Sequence, residues 1–202
     1  MEQIIRYRFN TNPRRGLAVA GIFLIKAILA VPHFILVGAL GTLAGWAGYI
    51  GFWIAAITGS LPMGLQNFIA WYLRWYTRTI GWYTGVTDVY PPFEPDPKDY
   101  LPDLDPPHNE QPSRGWAVAG ILMPIKVLAL LPHLLILALL GIAVAIGSWV
   151  GFIVVAFTGK LPIQFQDLYI GTTQWYARVY AFLFGLTDRY PVFDLEVHPT
   201  AE

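Results

Sequence analysis

The chain has 202 residues, 55% of them hydrophobic and 13% charged, and its thirteen basic and thirteen acidic side chains cancel to a formal net charge of zero. A soluble domain carries about 25% charged residues, so the composition points to a membrane and away from a water-exposed globule. Zero net charge argues against a nucleic-acid binder, and the absence of cysteine excludes disulfides, thiolate catalysis and Cys-based metal sites.

The first apolar run follows Arg14 and Arg15, which imitates the start of a signal peptide. The same run returns in mid-chain at Trp116, so it reads as mature structure. Between residues 17 and 60 no carboxylate occurs, and the only basic side chains are Lys26 and His33. A membrane-spanning helix needs about 20 apolar residues, so this stretch has length for two short spans. It predicts a hydrophobic hairpin with helices over 16–37 and 42–58, turning at Gly38 and Gly41. Pro62 then suits the start of a second segment, running to about Tyr83. There Leu65, Phe68, Ile69, Tyr72, Tyr76 and Ile80 recur at steps of three and four, while Gln66, Arg74, Thr77 and Arg78 fall on the other face. Enrichment in Trp, Tyr and Arg predicts an amphipathic helix lying in the lipid–water interface. A soluble-type helix packed on the hairpin ends is the alternative.

The segment closes on VTDVYPPF (86–93), whose prolines preclude helix continuation. Next comes EPDPKDYLPDLDPPHNEQP (94–112), with six carboxylates and one lysine. So much proline and charge predicts a solvated, semi-extended linker outside the membrane.

Beyond the linker the chain repeats itself. RGLAVAGIFLIKAILAVPH (15–33) returns as RGWAVAGILMPIKVLALLPH (114–133), with one residue inserted near Pro124. Thereafter the offset is 100: TGSLP (58–62) matches TGKLP (158–162), WYTR (75–78) matches WYAR (175–178), and VTDVYPPF matches LTDRYPVF (186–193). Self-similarity at a fixed period is the first thing to settle in reading a fold. It divides the chain into membrane repeat one (1–93), the acidic linker (94–113) and membrane repeat two (114–202). In copy two the hairpin helices fall at about 116–139 and 142–158, turning near Gly141. The fold class expected is an all-α integral membrane protein of two tandem parallel repeats. Each repeat is a hydrophobic helical hairpin, an interfacial amphipathic helix and a short Pro-containing tail. An even number of spans per repeat puts both termini and the linker on one side. The flanking arginines make that side cytoplasmic, and the pseudo-two-fold axis runs along the membrane normal.

Taken together, VPH and LPH, TGSLP and TGKLP, RWYTR and QWYAR, VTDVYPPF and LTDRYPVF resemble an uncharacterised prokaryotic membrane family, catalogued as domain of unknown function 4389. The resemblance covers nearly the whole chain outside the linker. It implies an architecture of two tandem family units and brings no activity. In copy two Gln174 replaces the first arginine of the pattern and Val192 the second proline.

Ionisable groups at membrane depth are costly and usually face a protein interior or a water cavity. Lys26, His33, Lys126 and His133 are therefore the candidate intramembrane polar site. In one reading the two Lys–His pairs meet near the pseudo-two-fold axis and bind an anion, a lipid headgroup or a proton. In the other, the first helix is tilted and its lysine snorkels to the headgroups. Paired histidines facing each other also suit haem, but nothing else calls for a cofactor, and none is expected. Arg78, Asp88 and Tyr90, with Arg178, Asp188 and Tyr190, form the expected structural latch. There an Arg–Asp pair pins the tail back and the tyrosine adds a packed ring and a hydrogen bond. The competing reading makes Asp88 and Asp188 catalytic acids. Gly41 and Gly45 make one small-xxx-small step. The sequence has no Gly-rich phosphate loop, no His-x-x-x-His spacing and no nucleophile elbow.

Three function classes follow. The first is a non-catalytic integral membrane protein, either an accessory subunit of a membrane complex or a scaffold wedged into a leaflet. The second is a small oligomeric transporter or channel using the Lys/His pairs. The third is a lipid-directed enzyme using the aspartates. The expectation is the first, with the lipid bilayer and a larger complex or a homo-oligomer as partners and no nucleic acid. Its expected place is the cell membrane, multi-pass, with termini and linker cytoplasmic.

Overall fold

The computed structural model describes residues 4–95, 97 and 99–198. Each copy begins with a short helix, α1 (Arg15–Ile22) or α4 (Arg114–Ile121). A long apolar helix follows, α2 (Ile25–Thr58) or α5 (Met123–Thr158), and then α3 (Met63–Thr84) or α6 (Ile163–Leu183). Two short strands, β1 (Ile5–Arg6) and β2 (Asp103–Leu104), complete the described elements. The mostly helical, duplicated architecture agrees with the sequence, and α2 and α5 are long and apolar enough to cross a membrane.

The expected hairpin is absent. α2 runs unbroken through Pro32, Gly38 and Gly41, and the break falls earlier, at Phe23 and Leu24. Leu24 takes a left-handed conformation (φ 59°) there. In copy two the break lies at Leu122, and Pro124 stands in the first turn of α5, where its missing N–H costs nothing. The one-residue insertion seen in the sequence thus sits at the break. Glycine is a poor helix breaker when its neighbours are long apolar side chains in a packed stripe, so 38–41 stays helical. α2 ends at Gly59 and α5 at Gly159, with φ near +75° in each, a conformation that glycine adopts without strain.

The antiparallel partner of α2 is α3. Trp82 stands beside Lys26, Trp75 beside His33, Tyr72 beside Gly41 and Leu65 beside Gly51. α3 does not lie free as an interfacial helix. Its apolar side meets α2 and α6, and most of its polar side is covered too. Arg74 Nε donates to the Leu104 carbonyl, and Pro102 packs on Gly81. In copy two, Gln174 Oε1 accepts from the backbone N–H of Ile4 and Ile5, and the Leu195 backbone packs on Gly171. The polar face therefore satisfies extended backbone instead of water.

The 94–113 stretch is part of this covering. Tyr100 and Leu104 are buried, and β2 pairs with β1 in antiparallel register, Ile5 opposite Leu104. Residues 103–113 occupy in copy two the place of 4–14 in copy one. The Asn10 N–H donates to Gln166 Oε1 and the Asn109 N–H to Gln66 Oε1, each at 2.7 Å. Proline and charge kept this stretch non-helical, but Leu104 still anchors it to the core.

The pairs on the pseudo-two-fold axis reveal how the copies meet. Ile5 faces its equivalent Leu104, and Tyr76 stacks on its equivalent Tyr176 at 4.2 Å. Lys26 at the start of α2 lies over Phe152 in the last third of α5, and Lys126 lies over Phe52. α2 and α5 are therefore antiparallel, and the axis is perpendicular to the long helices. Two helices of one orientation, as expected for a pair of same-facing hairpins, are not what forms. The copies also exchange arms, since α1 packs on α5 and α4 on α2.

The molecule is a slab of three layers. α2 and α5 with α1 and α4 form one face, α3 and α6 the middle, and the extended segments the other face. The arm exchange depends on close approach: a Cβ on Gly21 would come 2.3 Å from the Phe152 ring, and one on Gly120 2.4 Å from the Phe52 ring. Gly21→Ala or Gly120→Ala should cost about 1–3 kcal/mol by overpacking. Gly38→Ala, with nothing within 4 Å, should be neutral or slightly stabilising. Thermal unfolding in mild detergent compares the three.

Candidate functional site

Lys26 and Lys126 are 1% and 0% exposed. Lys26 Nζ donates to the Trp82 carbonyl in the last turn of α3 and sits 4.8 Å from the Trp82 ring and 4.9 Å from Phe152. Lys126 Nζ donates to the Phe182 carbonyl at 2.7 Å and sits 4.2 Å from Phe52 and 4.6 Å from Phe182. Each ammonium thus caps a helix C-terminus, where the macrodipole favours a cation, between two aromatic faces that attract it. One ring of each cage comes from the other copy. Neither lysine snorkels. Nor do the pairs meet at the axis: Lys126 lies at Phe52, and Phe52 is 26 residues, about 39 Å, along α2 from Lys26.

The histidines are equally enclosed. His33 Nδ1 accepts the Trp75 indole N–H at 3.1 Å and His133 Nδ1 that of Trp175 at 3.0 Å. That acceptor role leaves the ring proton on Nε2 and the imidazole neutral. The tail phrase packs on the same ring. Phe93 stacks on His33 at 4.3 Å and Tyr90 meets it edge-on at 4.9 Å, with Phe193 and Tyr190 repeating this on His133. Nε2 has no protein partner in either copy.

The histidine follows a proline inside the helix, Pro32 or Pro132. A helical proline removes one backbone hydrogen bond and displaces the carbonyls of the preceding turn. The Tyr90 hydroxyl donates to the Leu29 carbonyl at 2.9 Å, and Tyr190 donates to that of Ala129. The tyrosine thus supplies a donor in the turn that the proline disturbs. Pro-His and Thr-Asp-x-Tyr-Pro-x-Phe form one clamp, written in two places in the sequence.

The arginines and aspartates take partners other than each other. Asp88 Oδ2 accepts the Arg14 N–H and Asp188 Oδ2 the Ser113 N–H, each at 2.6 Å. Both carboxylates therefore sit at a short-helix N-terminus, α1 or α4, where negative charge is favoured. Arg78 pairs with Asp103 at 2.9 Å and donates to the Pro95 carbonyl. Arg178 donates to the Asp194 carbonyl and stands 3.6 Å from its carboxylate. The expected Arg78–Asp88 and Arg178–Asp188 pairings give way to this arrangement. The aspartates hold the arms, and the arginines hold the extended cover. Burial draws the Arg178 guanidinium down from its ordinary value, with Asp194 opposing. Burial also raises the Tyr7 phenol, assisted by the Asp167 carboxylate that accepts its hydrogen bond at 2.9 Å.

A cavity of about 700 Å³ opens on the polar face, lined by His108, Asn109, Gln111, Arg178, Asp188 and Arg189 among others. Its one central carboxylate, Asp188, is committed to the α4 N-terminus. Among the described residues no group of three or more His, Asp or Glu is placed to hold a metal. Sequence reasoning missed Trp75, Trp82, Phe52 and Phe93 as partners of the lysines and histidines. The one signal for them was their return at offset 100 as Trp175, Phe182, Phe152 and Phe193.

The chain is duplicated and largely helical, and two of its helices are long and apolar enough to cross a membrane. A family model described as domain of unknown function DUF4389 matches residues 22–94 and again 123–194, so the chain belongs to that family and carries two tandem copies. No curated protein and no solved structure matches it.

Replacing Lys26 by Met should remove the cap from α3 and cost about 1.5–3 kcal/mol, the range for hydrogen bonds to charged groups. Tyr90→Phe should cost about 1 kcal/mol, as one neutral hydrogen bond at the kink is lost. Thermal unfolding in lipid nanodiscs measures both. A lysine that merely snorkelled would be replaced without loss.

Proposed function

We propose that the protein is a non-catalytic integral membrane scaffold, serving by itself or as an accessory subunit of a larger membrane complex. The observation that carries this reading is the outer face of α2 and α5. From Phe23 to Ile57 and from Leu122 to Phe157 its exposed side chains are predominantly apolar, Thr42 excepted, and no charged group interrupts them. Such a face in water would aggregate; in lipid it needs no further partner. Behind it Lys26, Lys126, His33, His133, Asp88, Asp188, Arg78 and Arg178 are engaged in internal contacts. Those engagements support a structural part for Arg78, Asp88, Tyr90, Arg178, Asp188 and Tyr190, as fasteners of arms and cover. The transporter reading draws on one observation, the unpartnered Nε2 atoms of His33 and His133, each of which lies in its own aromatic enclosure.

Reconstitution into liposomes tests the proposal. The expected outcome is retention in the membrane after alkaline carbonate washing and no proton or anion flux above protein-free vesicles. A flux abolished by His33→Phe in protein that still assembles would overturn the scaffold reading in favour of transport. Native purification with mass analysis separates the two scaffold forms: a stoichiometric companion marks an accessory subunit, and a lone defined oligomer a self-sufficient one.

A further inference from the structure

We infer that the protein sits in a single leaflet, with α2 and α5 in the membrane plane, their outer faces among the acyl chains and the pseudo-two-fold axis along the membrane normal. This rests on the membrane reading above and adds the geometry of the seat.

Symmetry carries the argument. Because the axis is perpendicular to the long helices, spanning helices would force it into the membrane plane. The β1–β2 pair, which lies on the axis at Ile5 and Leu104, would then fall at the bilayer midplane. Beside it are Arg6, exposed while paired with Asp103 at 2.8 Å, and the exposed Arg8 and Asp105. The midplane is the costliest depth for a charged side chain, and lipid-exposed irregular backbone does not occur there. Spanning would also carry Arg15, which packs at Gly159, and Arg114, which packs at Gly59, to opposite ends of the long helices and so to opposite surfaces. Basic flanks favour one side.

Lying in the plane removes every one of these conflicts. The charged cover faces water on one side of the slab, the uncharged faces of α2 and α5 enter lipid on the other, and equivalent arginines of both copies share one surface. Length agrees as well. α2 is about 51 Å long and α5 about 54 Å, against a hydrocarbon core of about 30 Å. Their exposed faces stay uncharged from end to end, where a spanning helix of this length would emerge into water. An in-plane helix needs no match to bilayer thickness and buries its apolar face about 5–10 Å deep.

The chain has no cysteine, so single cysteines report unambiguously. Ile28, Leu43 and Ile57 lie on one exposed stripe of α2, and Leu128, Ile142 and Phe157 on that of α5. Each is replaced by cysteine in the full chain, labelled with a fluorophore, reconstituted in liposomes and quenched by lipids brominated at graded depths. Stability is checked against the unsubstituted protein. The expected result is one shared depth for all six positions, agreeing to within about 5 Å. Leu43 and Ile142 deep with both ends shallow would overturn the in-plane seat while leaving the membrane reading intact. Depth-dependent quenching at none of the six would overturn both, and cross-linking between labelled faces would then show that a second copy covers them. Arg8→Cys and Asp105→Cys supply the second readout. An impermeant thiol reagent added outside sealed vesicles should label both or neither in any one orientation, and lipid quenching at either overturns the seat.

Discussion

An ammonium group removed from water needs other electron density around it, and this fold supplies that density twice. Lys26 has the Trp82 carbonyl and the faces of Trp82 and Phe152; Lys126 has the Phe182 carbonyl and the faces of Phe182 and Phe52. Each cage requires the end of one helix pair and a ring from the opposite copy. That requirement sets the antiparallel approach of α2 and α5, draws α3 back along α2, and places Gly21 and Gly120 where only a hydrogen fits under a phenylalanine. Each buried lysine thus joins one copy to the other.

Around this joint the polar groups are distributed by layer. The middle helices α3 and α6 turn aromatic rings toward α2 and α5 and arginine, glutamine and threonine toward the extended cover. The helical turns before Pro32 and Pro132 are met by Tyr90 and Tyr190, and the amino ends of the arms by Asp88 and Asp188. The outer face is left with nothing that needs water.

Duplication, helix content and the identity of the polar residues were legible in the sequence, because each leaves a mark on residue order alone. Period and offset exposed the two copies, and scarcity of charge exposed the apolar helices. The break at Leu24 was not legible, since glycines at 38 and 41 are stronger turn signals than a leucine. The partners of Asp88 and Arg78 were not legible either. Each was assigned to the other for their nearness in sequence and opposite charge, whereas the Arg14 N–H at the start of an arm and the Asp103 carboxylate of the extended cover reach them. Arg74 and Gln174 show the same limit: different side chains at equivalent positions, each serving the backbone of the facing strand segment. Patterning along one segment carries no information about contacts supplied by a distant one.

The exchange of arms also imposes an order on biosynthesis. A ribosome delivers α1 first, but its seat on α5 and the Phe152 side of the Lys26 cage belong to chain still to be translated. Copy one must therefore wait, with its aromatic middle layer half covered and its lysine half caged, until residues near 152 have emerged. The second arm differs: α4 emerges after its seat on α2 has been made, so only α1 depends on chain still to come. Truncation within copy two would remove the surface of α5 against which the α1 arm of copy one packs.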